Sequence, residues 1–132
     1  MRIIQLTLLA MLLTGCLGET GKGYITKQCK KTENINGYIK ETEIEIKSNQ
    51  GNIEKITIKE TYDKNMDIES ITKSKKSEQN SYKNIKIEIN DNTFTYEIEP
   101  KKINKEAKEK YKIKEEQHKQ IKQYEEEGYV CN

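Results

Sequence analysis

The sequence predicts an α+β domain in which an antiparallel sheet of about five strands, a meander plus a hairpin, packs against one or two helices, one of them C-terminal. Three observations carry this. Residues 38–48 alternate, with Tyr38, Thr42, Ile44 and Ile46 set against Glu41, Glu43, Glu45 and Lys47; period-two alternation marks a strand with one buried face. Residues 84–99 hold two such runs, Ile85, Ile87, Ile89 and then Phe94, Tyr96, Ile98, joined by Asp91-Asn92, a short hairpin turn. Ile113, Gln117, Ile121 and Tyr124 recur at helical spacing before Gly128, where a helix stop belongs.

The remaining elements follow in chain order. Tyr24 to Glu33 is read as the first strand, with Ile25 and Cys29 on one face, because successive strand side chains alternate. Asn34 to Gly37 supplies turn chemistry before the second strand, Tyr38 to Ser48. Asn49 to Asn52 turns the chain again into Ile53 to Tyr62, with Ile56, Ile58 and Tyr62 on one face. Three consecutive strands with short turns make an antiparallel meander. Asp67 is placed as the cap of a short helix with Ile68, Ile71, Lys75, Gln79 and Tyr82 along one side; its polar middle, Thr72 to Ser81, predicts a frayed or looped end. Pro100, the only proline, ends the last hairpin strand. Ile103, Ala107 and Tyr111 form a helical stripe, Lys114 to Glu127 forms the terminal helix, and Tyr129-Val130-Cys131 reads as an apolar end packed against the domain.

Residues 1–16 have a separate logic. Arg2 precedes an apolar run from Ile3 to Leu13, and Thr14-Gly15 then precede Cys16. This is a signal-peptide layout with a thiol, the nucleophile that accepts a diacylglycerol group, at the first mature position. Leu13-Thr14-Gly15-Cys16 resembles the lipobox of bacterial lipoproteins. An apolar run this short falls well below the ~20 residues that span a bilayer. The expected organisation is a leader over 1–15, a lipidated flexible tether over 16–23 and one domain over 24–132. The expected address is the extracytoplasmic face of the cell membrane, held through acylated Cys16. A plain secretory leader is the alternative.

Composition limits the partners. The chain has 132 residues and a formal net charge of +2. Acidic and basic residues are interspersed, which argues against nucleic acid, since that partner calls for a clustered basic face. All the cationic residues except Arg2 are lysine, no Leu follows Leu17, and Val130 is the only Val. This is the bias of an AT-rich genome. With Cys16 lipidated, Cys29 and Cys131 remain as an even pair on an oxidising side of the membrane. A bridge joining the two ends of the domain is expected, two idle thiols being the alternative.

The chain resembles the YehR-like small bacterial lipoproteins, a domain family of unknown function, and above all their Firmicute relatives. The resemblance is carried by Cys16, by Cys29-Lys30-Lys31-Thr32-Glu33, by Gly37-Tyr38 and the strand from Glu41 to Lys47, and by Tyr111 to Glu116. It continues through Tyr124 and Glu127-Gly128-Tyr129-Val130-Cys131. It implies an antiparallel sheet packed on one or two helices and brings no established activity. The segment Asp67 to Tyr82 departs from the pattern, where relatives carry a longer, more regular helix.

No catalytic constellation accompanies this fold. His118 is the only histidine, beside Gln117 and Lys119, and reads as a surface residue. Glu41, Glu43 and Glu45, and likewise Glu125 to Glu127, read as solvated faces; acid–base work needs a carboxyl whose pKa is shifted by its surroundings. Asp63 to Asp67 spaces three oxygen ligands by two but lacks the glycine and the twelfth-position glutamate of a calcium loop. No metal, no cofactor and no catalytic residue is expected. Tyr24, Tyr38 and Tyr129 are the candidate recognition patch. The expected protein is a monomer whose partners are membrane lipid and an unidentified envelope protein or ligand, with a non-catalytic role. A cell-envelope hydrolase and a lysozyme-inhibitor-like protein are the alternatives.

Overall fold

The computed structural model describes residues 23–132; Cys16, the lipobox, the leader and the tether up to Lys22 lie outside them. The meander consists of β1 (Tyr24–Ile35), β2 (Tyr38–Asn49) and β3 (Asn52–Tyr62). Asn36-Gly37 and Gln50-Gly51 turn the two hairpins with positive φ at both central residues. Such turns match the right-handed twist of the strands, and glycine adopts that conformation without steric cost. Helix α1 (Ile68–Ser81) follows, then the hairpin β4 (Lys86–Asn90) and β5 (Thr93–Ile98). A 3-10 turn over Pro100–Lys102 leads to α2 (Lys105–Tyr111), α3 (Gln117–Glu126) and β6 (Val130–Cys131).

The strands form one sheet in the order β4-β5-β3-β2-β1-β6, with every neighbouring pair antiparallel. The fold is therefore α+β, a six-stranded sheet with three helices including the C-terminal one. Two-residue β6, too short to leave a periodic signal, is the strand the sequence did not announce. It pairs Cys29 with Cys131 and Lys30 with Val130.

Side-chain alternation creates two unlike faces. Ile44 and Ile46 on β2, Ile53 and Ile56 on β3, and Phe94, Tyr96 and Ile98 on β5 are buried and meet Ile85, Ile103, Ala107, Ile113 and Tyr124. Burial of this apolar surface, at about 25 cal/mol per Å², drives the packing. The opposite face carries Glu41, Glu43, Glu45 and Lys47, all exposed. Its rows alternate in sign, as in the register Lys30–Glu43–Lys59 across β1, β2 and β3. Opposite charges directly across a ladder give modest support and keep this face in water.

Helix α1 is a correction to the short, frayed helix expected. It runs unbroken for 14 residues although it fully buries none of them. Asp67 caps it, accepting the Ser70 N–H at 3.1 Å, so Asp67 serves as a cap and not as a calcium ligand. Polar side chains fix its inner face. The Gln79 amide accepts the Ile87 N–H and donates to the Ile85 carbonyl, each at 2.5 Å. A side chain thus stands in for the missing strand beyond β4 and closes an edge that would otherwise be open to pairing. Gln79→Ala is expected to cost about 2 kcal/mol, because removing one partner strands buried polar groups. Urea unfolding checks this, together with faster amide exchange at Ile87.

Three smaller expectations also change. Ile25, expected inward beside Cys29, is half exposed, because β6 covers β1 only near Cys29. Val130 is exposed as well, since its place in β6 points it to the open face. On α3 the buried polar residue is Gln120, not Gln117; it accepts the Lys114 N–H at 2.6 Å and donates to the Lys112 carbonyl at 3.2 Å. One side chain thereby ties down the loop between α2 and α3.

Candidate functional site

The inner face breaks its apolar pattern at two adjacent strand positions. On β3 the inward series is Ile56, Ile58, Glu60, Tyr62, and on β2 Lys40 lies opposite Tyr62. Helix α1 adds Lys75. The Glu60 carboxylate receives Lys75 at 2.7 Å and Lys40 at 2.9 Å, one on each oxygen. Lys75 also donates to the Tyr96 hydroxyl, which donates in turn to Glu78 at 2.8 Å. Lys40 stands over the Tyr62 ring at 5.1 Å and Lys75 over the Tyr96 ring at 4.9 Å, each ammonium facing the negative π surface of its ring.

Charge and burial work against each other here. Burial alone would raise the Glu60 pKa, but Lys75 and then Lys40 outweigh it and hold the carboxyl below its ordinary value. Burial would lower that of Lys40, and Glu60 reverses the sign. Tyr96 is pushed far up by burial, then by Glu60 and by Glu78, so its phenol stays protonated. Tyr111 and Tyr124 are also raised, first by burial and then by Glu78 and Tyr129 respectively.

Beside this network lies a cleft of about 260 Å³, where the ends of α2 and α3 stand apart from α1 over the sheet. Ile44 and Ile58 form its floor, Lys75, Glu78 and Tyr96 one wall, and Lys110, Tyr111 and Lys112 another; Tyr124, Glu127 and Tyr129 complete it. The tyrosines stack edge to face, Tyr96–Tyr111 at 6.0 Å, and Tyr124 is tilted against Tyr129 at 5.4 Å. The hydroxyls of Tyr111 and Tyr124 are buried and find no hydrogen-bond partner among the described residues. The buried hydroxyls of Thr42 and Ser48 share this lack, although buried hydroxyls are normally satisfied.

The residues expected to form a recognition patch are not brought together. Tyr24 pairs with Asn49 at one end of the β1–β2 hairpin, while Tyr38 pairs with Ile35 at the other. Eleven residues of strand, at ~3.3 Å each, separate these two ends, and the alternation puts the two rings on opposite faces. Tyr38, expected inward, is 38 % exposed, because β2 there extends beyond its last pairing with β3 at Lys40. Only Tyr129 reaches the cleft. Lys31 lies against its ring at 5.4 Å and donates to the Glu127 carbonyl at 2.7 Å. His118 is exposed on α3 near Glu116. Among the described residues no three of His, Cys, Asp and Glu stand close enough to hold a metal ion.

Cys29 and Cys131 stand at bonding distance across the β1–β6 ladder. Sequence reasoning missed Lys40 and Glu60, and placed Lys75 on one side of its helix with Ile68 and Ile71 without giving it a role. The legible signal was a charged residue at an inward position of an otherwise apolar alternation.

Fold and site together define a class: an antiparallel sheet with helices on one face and a tyrosine-walled polar cleft between them. No family model, no curated protein and no solved structure matches the chain.

Proposed function

We propose that the chain is a lipid-anchored bacterial protein of the extracytoplasmic face, of the YehR-like kind, that binds an envelope ligand or protein without catalysis. The cleft is the observation that carries the binding reading. A concave site with an apolar floor and a few converging polar groups is the usual form of a ligand pocket, and this one holds buried hydroxyls without partners. The leader Arg2 to Cys16 supports the anchor. Among the described residues no helix is long and apolar enough to cross a membrane; the acyl groups on Cys16 are the proposed attachment. Two or more chains hold a protein firmly where one alone is marginal.

The hydrolase alternative gains little from the cleft. A general acid needs a carboxyl whose pKa is raised, whereas Glu60 is shifted the other way and clamped between two ammonium groups.

Fractionation of cells producing the full chain tests the anchor. The natural protein is expected in the membrane fraction, and Cys16→Ser is expected to leave it for the medium or remain as the unprocessed precursor. Equal retention of a processed Cys16→Ser chain in the membrane would contradict the reading.

A further inference from the structure

We propose that the cleft receives one neutral pyranose ring of a saccharide, an inference that rests on the binding reading above and names its ligand. Four features point there. First, the charges lining the cleft balance: Glu60, Glu78 and Glu127 stand against Lys75, Lys110 and Lys112. Glu60 is shared by Lys40 and Lys75, and Lys112 faces Glu127 at 3.7 Å. A charged ligand would unbalance this set; a neutral one does not.

Second, the hydrogen-bonding groups left over are of both kinds. Glu78 spends one oxygen on the Tyr96 hydroxyl and keeps acceptor capacity, while Lys110 offers only donors. Tyr124 is 4 % exposed and its hydroxyl is unpartnered, while that of Tyr111 stands beside Glu78. A ligand satisfying this set must donate and accept at several points around one small body.

Third, the partly buried Ile58, Tyr111 and Tyr129 offer apolar surface at the cleft. A pyranose presents a C–H face to such surface and hydroxyls along its rim. Fourth, about 260 Å³ lies just under the range typical of drug-sized ligands. That is room for a single ring, with any further sugar units outside. The Lys112–Glu127 pair spans two walls of the cleft and is partly exposed. Water and salt weaken such pairs, so entry of a ring parts it at little cost.

Saturation-transfer NMR on the full chain in detergent micelles tests this, with N-acetylglucosamine, methyl β-glucoside and maltotriose as neutral probes and glutamate and alanyl-alanine as charged ones. The neutral probes are expected to bind through their ring protons. Tyr124→Phe, which keeps the ring and removes only the hydroxyl, is expected to weaken binding about three- to tenfold while leaving the melting temperature unchanged or higher. Lys110→Gln, at an exposed position that no packing depends on, is expected to weaken it as well. Binding of the charged probes alone overturns the saccharide assignment and leaves the binding reading standing. Sugar binding indifferent to both substitutions overturns it by placing the site elsewhere. Binding of no probe overturns it together with small-ligand use of this cleft; the anchor is decided separately by fractionation.

Discussion

Replacing Glu60 with alanine is expected to lower the free energy of unfolding by about 3–5 kcal/mol, the usual effect of removing one partner from a buried ion pair. The cause is what remains. Lys40 and Lys75 are largely shielded from solvent, and without the carboxylate they face each other with no counter-charge. Lys75 would also lose the contact that aims it at Tyr96, so the wall of the cleft loosens with the core. A triple replacement, Lys40→Met with Glu60→Leu and Lys75→Met, should recover much of the loss, since apolar residues of similar volume often substitute for a buried ionic cluster at no net cost. Equilibrium urea unfolding of the three proteins, natural, Glu60→Ala and triple, measures both effects. A loss below about 1 kcal/mol for Glu60→Ala would mean that water reaches the cluster freely.

The same cluster sets a pH profile. Glu60 is held below its ordinary value of 4.5 in the folded protein. Its contribution is therefore complete above that value and is lost as pH falls through the lower, folded pKa. Lys40 is held above its ordinary 10.5. Its contribution is complete below 10.5 and disappears as pH rises through the raised, folded pKa. Stability is expected to be flat between these limits as far as this cluster is concerned, and the acid limb should shrink in the triple replacement, which carries none of these titrating groups. Linkage requires this sign, because the unfolded chain binds more protons than the folded one on the acid side.

The second large effect concerns the Cys29–Cys131 bridge. Cys131→Ser, or reduction, is expected to cost about 2–5 kcal/mol, the usual effect of removing a disulfide from a small domain. The two residues lie 102 positions apart, and closing a loop of that length restricts the unfolded chain by up to ~4.7 kcal/mol in the entropy model. The bridge also has a local task. β6 is two residues long and pairs with β1 only at Cys29 and Lys30, too little to hold a strand alone. Its release would uncover the edge of β1 and free Tyr129, which forms part of the cleft. Urea midpoints with and without reductant measure the effect, and a shift below about 1 kcal/mol would argue against it.

What the sequence made legible depended on how each element is stabilised. The alternation at Ile44 and Ile46 and the pair Phe94/Tyr96 announce buried strand faces, because apolar burial leaves a periodic mark. Helix α1 was underestimated because its inner face is Lys75 and Gln79, which are held by an ion pair and by an amide on a strand edge. A hydropathy pattern reads both as solvent. The cleft was hidden for another reason. Its walls come from β2, β3, β5 and all three helices, and residues from Ile44 to Tyr129 meet only once the sheet order is known. Tyr24, Tyr38 and Tyr129 were grouped by chemistry alone, and strand register put the first two at opposite ends of a hairpin.

The intact mass of the membrane-extracted protein, taken with and without reduction and thiol alkylation, tests the account most directly. The expected result is a chain beginning at Cys16 that carries a diacylglycerol adduct, with two further thiols alkylated only after reduction. A mass without lipid, or two thiols open to alkylation from the start, would contradict it.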